Sequence, residues 1–128
     1  FTTSDSKFGD THAKFGLRPT WGMSQTLSQA IGVRRAREMS FSARTVMGDE
    51  AVALGIANKA VVDVEALDEL VNERVGQIAA NSQAAVAAFK DLYNLAQQGM
   101  PISDALSAEL DQDYPEITDT NDRLAGFK

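Results

Sequence analysis

The chain contains a single histidine, His12, set in the stretch "KFGDTHAKFGLRPTWG" from Lys7 to Gly22. An imidazole is the one side chain whose ordinary titration lies close to neutral pH, so it can both accept and release a proton there. The same stretch holds three of the nine glycines, one of the three prolines and the only tryptophan, Trp21. Such punctuation marks irregular backbone, where binding and catalytic side chains are commonly carried. The residues alone leave two readings open. His12 is a hydrogen-bonded loop residue, or it is a proton-transfer group. Asp5, Asp10 and Lys14 flank it without a motif of their own and read as solvated charges.

Composition narrows the alternatives. There is no cysteine, which excludes disulfides and thiolate metal sites, and one histidine leaves only an atypical, carboxylate-rich zinc site. The formal net charge is −6, and the longest basic cluster is Arg34, Arg35 and Arg37 on an expected helix. Nucleic acid is therefore not an expected partner, because phosphate contacts need a basic face. No apolar run approaches the ~20 residues that span a bilayer, and no signal-peptide pattern is visible. The expectation is a cytoplasmic protein without a membrane partner.

The elements that must position His12 read as follows. Phe1 to Phe8 predicts a short strand running into the Gly9 turn, and residues 9–22 predict an irregular loop. Met23, Leu27, Ala30 and Ile31 recur at helical spacing, with Gly32 as a stop. A second short helix is expected over Val33–Phe41. A third has Asp49 and Glu50 in its first turn and ends at Gly55, before a strand over Ala57–Val62. From Asp63 the pattern is wholly helical. Leu67, Leu70, Val71, Val75 and Ile78 share one face of a helix over 63–81. Ser82 caps the next helix, which ends near Gly99. A further helix over 103–114 is expected to stop or kink at Pro115, and Asp119 or Thr120 to cap a last one over 121–128. The boundary falls near Val62 and Asp63.

In their order and spacing these residues resemble the crotonase (enoyl-CoA hydratase/isomerase) superfamily. Phe8-Gly9, Gly16, Pro19, Gly22, Gln25, Leu27 and Gly32 are similar to its F-G-x-P-E-x-x-x-G-x-x-P-G-x-G-G-x-Q-x-L run. "DEAVALGIANKAVV" resembles its E-A-x-x-x-G-L-V-N-x-V-V segment, and "IAANSQAAVAAFKDLYN" its I-A-x-N-S-P-x-A-x-x-x-x-K-x-x-x-N helix pair. Asp122 to Phe127 is a looser match to the closing E-G-x-x-A-F. The resemblance implies an α/β crotonase-like fold, seen here as the end of a ββα spiral with the active-site loop (1–62) followed by a mainly helical oligomerisation region (63–128). It further implies that an earlier half, holding the two oxyanion-hole amides and a first carboxylate, precedes Phe1.

Aligned without gaps from Phe8-Gly9, the slot of the family's catalytic glutamate holds His12, and that of the preceding proline holds Thr11. The resemblance thus implies a catalytic role for His12 and substrate contacts for Trp21, Gly22 and Phe127. Trp21 stands where the family keeps a small residue, so its indole is expected to wall off the acyl pocket or to pack in the core. The implied activity is hydration of a 2-enoyl-CoA thioester in fatty-acid metabolism. The acyl-CoA thioester is the substrate, no metal or redox cofactor takes part, and the assembly is a homo-oligomer, a trimer or hexamer. An isomerase, thioester hydrolase or decarboxylase on the same fold stays open, as does a non-catalytic helical oligomerisation module.

Overall fold

A computed structural model describes residues 1–126 of the chain. Four strands of two residues each form two small ladders. β1 (Thr2–Thr3) pairs in parallel with β4 (Ala60–Val61), and β2 (Lys7–Phe8) pairs antiparallel with β3 (Val46–Met47). The single strand expected over 1–8 is split because Thr3 and Ser6 close a turn. The Ser6 amide donates to the Thr3 carbonyl at 3.1 Å, and the Thr3 hydroxyl reaches Asp5 Oδ1 at 2.6 Å. The strand expected over 57–62 is likewise shorter. The amides of Ile56 and Ala57 turn back onto the Ala51 carbonyl, so those residues close the preceding helix.

Helices α1 (Met23–Ile31) and α2 (Val33–Ser42) follow each other across Gly32. Their buried residues sit at helical spacing, Leu27 with Ile31 and Ala36 with Met39. Together with Val46 and Ala51 they form the core, against which Phe8, Met23, Leu54 and Ile56 pack. Helix α3 (Gly48–Leu54) starts against β1 so closely that a Cβ on Gly48 would lie 1.9 Å from the Thr3 carbonyl oxygen. Only glycine fits there. Arg44 ties α2 to α3, donating to Glu38 and to Glu50 at 2.7 Å each.

Helix α4 (Val64–Ala79) buries Leu70, whereas Val71, Val75 and Ile78 on the expected apolar face remain exposed in this chain. Helices α5 (Gln83–Gln97), α6 (Ile102–Asp111) and α7 (Thr120–Ala125) follow. Ser82 caps α5 as expected, its hydroxyl accepting from the Ala85 amide. Helix α6 stops at Asp111, short of Pro115, because Gln112 is already extended. Carboxylates at Glu109, Asp111 and Asp113 oppose the negative end of the helix dipole, and a residue before proline disfavours the helical region. Asp119 does not cap α7 with its side chain; its carboxylate accepts from the Ser82 hydroxyl and the Arg123 guanidinium instead. The chain separates into two compact units, Phe1–Asn72 and Glu73–Lys128, with the division inside α4.

Candidate functional site

The loop after β2 carries His12 at the entry of a short 3-10 turn, Ala13–Phe15. Its carbonyl accepts from the amides of Phe15 at 3.1 Å and Leu17 at 2.9 Å, which pins the backbone under the ring. The ring is held from a second side. Asp10 Oδ1 accepts from the His12 amide at 3.2 Å and lies 2.6 Å from ring Nδ1. A third restraint is Trp21, whose ring stands edge-on to the imidazole at a centroid distance of 5.9 Å and 75° between planes. The His12 side chain is 19% exposed, and that of Asp10 only 4%.

Asp10 is therefore no solvated charge, contrary to the expectation from sequence. It is the buried partner of the imidazole. Burial, the largest single influence, pushes its carboxyl upward. The nearby Ser40 hydroxyl on α2, then the hydrogen bonds from the His12 ring and amide, outweigh it and hold the carboxyl below its ordinary value. An ionised carboxylate can only accept, so Nδ1 carries the proton in the pair, and in a neutral ring Nε2 is the nitrogen left as acceptor. The spacing Asp-x-His in an irregular loop was the available signal for Asp10. Ser40 left none, because α2 brings it there only in the folded chain.

His12 and Asp10 lie between two open clefts. One, of about 440 Å³, is bounded by Leu17, Leu27, Val33, Phe41, Arg37 and Ser40 among others. The other, of about 410 Å³, is bounded by Gly9, Thr11, Trp21, Met23 and Thr26. Trp21 is 87% exposed, so it is no part of the core in this chain. It walls the second cleft beside His12 and does not line the first. Gly22 lines neither cleft. With φ +82° it starts α1, its carbonyl accepting from the amides of Gln25 and Thr26 and from the Thr26 hydroxyl. Phe127 lies outside the described residues. Among those residues no group of three or more His, Cys, Asp or Glu side chains could hold a metal ion, and no helix is long and apolar enough to cross a membrane.

Short strand ladders packed against helices are the architecture this chain shares with solved enoyl-CoA hydratases, which places it in the crotonase-like α/β class. An enoyl-CoA hydratase from Bacillus anthracis superposes with a TM-score of 0.83 at 31% identity, covering 97% of this chain and 47% of that one. Enoyl-CoA hydratase subunit I from Geobacillus kaustophilus gives a TM-score of 0.85 at 28% identity, covering 98% and 49%. The family model for enoyl-CoA hydratase/isomerase matches residues 2–127, and the chain belongs to that family. A relative from Arabidopsis thaliana, named "Probable enoyl-CoA hydratase 1, peroxisomal", is 42% identical over 89 residues, 70% of this chain and 33% of its own length. A short-chain-enoyl-CoA hydratase from Clostridium acetobutylicum is 31% identical over 121 residues, 94% of this chain and 45% of its own. The chain thus spans less than half the length of these two relatives.

Proposed function

We propose that the complete polypeptide carrying this chain is an enoyl-CoA hydratase of fatty-acid metabolism, with His12 as a proton-transfer group. The observation that carries the reading is the imidazole of His12, paired through Nδ1 with a buried carboxylate and open to a cleft, in a chain of the hydratase/isomerase family. Nε2 takes a proton from water as the water oxygen bonds to the β-carbon of the enoyl thioester. The π-electron pair moves toward the thioester carbonyl, giving an enolate-like oxygen that backbone amides stabilise. Transfer of that proton from Nε2 to the α-carbon completes the addition and returns His12 to its neutral form. The coenzyme A thioester is substrate, and the reading invokes no metal or redox cofactor. Arg37 at the rim of the larger cleft suits an anionic substrate.

A homo-oligomer, a trimer or hexamer, belongs to the same reading and is supported by exposed apolar residues on α5 and α6, among them Phe89, Tyr93, Leu106 and Leu110. So does a cytoplasmic location, which imaging the tagged polypeptide separates from the peroxisomal one in the Arabidopsis relative's name. Crotonyl-CoA hydration is the direct test. His12→Ala is expected to lower kcat by ~10²–10⁴-fold with KM little changed, the range for a general acid or base. Near-normal kcat in that variant would assign His12 a structural role. A second reading, double-bond isomerisation, is favoured by the family description. A single base that removes and returns one proton is enough for it, and the product of 3-enoyl-CoA incubation distinguishes the two.

A further inference from the structure

From the geometry of the loop after β2 we infer that Asp10 is the positioning residue of the site: it fixes the tautomer and orientation of His12 so that Nε2 faces the cleft as a base. The inference rests on the reading of His12 as a proton-transfer group and adds to it a residue that the sequence pattern had left as a surface charge. Three observations meet at one side chain. Asp10 is buried, its Oδ1 accepts from the His12 amide, and the same oxygen lies 2.6 Å from ring Nδ1.

A purely structural role would need only the amide contact, which by itself closes the turn from residue 10 to residue 12. The ring contact is the shorter of the two, 2.6 Å against 3.2 Å, and it falls on the nitrogen that faces away from proton transfer. An imidazole without such a partner divides its proton between two nitrogens and rotates about its χ angles. With the partner, the neutral ring keeps its proton on Nδ1 and leaves Nε2 as the acceptor. When Nε2 takes a proton from water, the new positive charge lies against a carboxylate already in place, so no reorganisation is needed at that moment.

The test uses the complete polypeptide and two independent readouts. In the first, ¹⁵N chemical shifts of the two ring nitrogens, assigned to His12 by their loss in His12→Ala, report the tautomer. The wild type is expected in the Nδ1–H form and Asp10→Ala in a mixture of both; an Nε2–H wild type overturns the inference. In the second, Asp10→Ala is expected to lower kcat for crotonyl-CoA by ~10²-fold or more, with KM within about twofold. Asp10→Asn, which keeps an acceptor and the turn but not the charge, should fall between. The same Asp10→Ala change placed on His12→Ala should cost little further, since the two residues act as one unit. An equal loss in both backgrounds overturns the positioning role in favour of a structural one. If His12→Ala alone retains turnover, the hydratase reading of His12 fails, and the tautomer readout still decides what Asp10 does to the ring.

Discussion

Trp21 packs its indole T-shaped against the His12 ring while remaining almost wholly in solvent. A side chain of that size, so placed, gives no stability through burial in this chain; what it does is restrict the space next to the imidazole. Trp21→Ala is therefore expected to shift preference toward longer or bulkier acyl chains by about tenfold, the scale on which an apolar wall discriminates. Comparing kcat/KM for crotonyl-CoA and a ten-carbon enoyl-CoA measures it. An unchanged ratio with a lowered Tm would instead mark the indole as packing in the complete polypeptide. At this scale the sequence was legible by residue type. His12 stood out because it is the only imidazole, and Trp21 because it is the only indole. Asp10 did not stand out, because eighteen carboxylates look alike until the fold buries one. Its burial is a tertiary event without a local signature.

At the scale of elements, the helices followed from apolar spacing and from residues that stop or start them, Gly32, Gly55 and Ser82 above all. Strands were poorly legible. Each is two residues long, too short for an alternating pattern, and turn contacts around them take up the backbone groups that longer strands would pair. Ser82 has a larger part than a cap. Its hydroxyl accepts from the Ala85 amide and donates to Asp119 at 2.7 Å, while Arg123 bonds both Asp119 and the Ala80 carbonyl. The Ser82 hydroxyl first, and Arg123 with it, hold the Asp119 carboxyl below its ordinary value. A carboxylate lowered on folding adds stability above its unfolded pKa, about 3.9, and loses that contribution as pH falls through its folded value. Protection of the α5 amides from hydrogen exchange should therefore decline below about pH 4. Ser82→Ala should destabilise α5 by about 1 kcal/mol at pH 7 and flatten that decline. An unchanged acid dependence in the variant would separate Asp119 from the cap.

The whole molecule divides its chemistry unevenly. Residues 1–62 carry more lysine and arginine than aspartate and glutamate, and the acidic excess behind the net charge of −6 lies in residues 63–128. The site and its clefts are in the basic part, the side suited to the anionic thioester proposed as substrate. The helices of the acidic part expose large apolar residues; Leu110 on α6 is 86% exposed, and Phe89 and Tyr93 stack on one another on α5. Apolar surface of this kind marks contact with another chain or segment. Two outcomes are expected of the 128 residues taken alone. They should not hydrate crotonyl-CoA, because they span less than half the length of the hydratases they match, and the oxyanion-stabilising amides of the proposed mechanism are expected in the remainder. Loss of one such donor typically costs ~10²–10³ in rate, and both would be missing. They should also self-associate, covering the apolar helix faces with copies of themselves. A hydration assay and a light-scattering mass on the same purified sample check both. Substantial activity from a monomer would move the catalytic amides into these residues and leave the exposed faces of α5 and α6 without a partner to explain them.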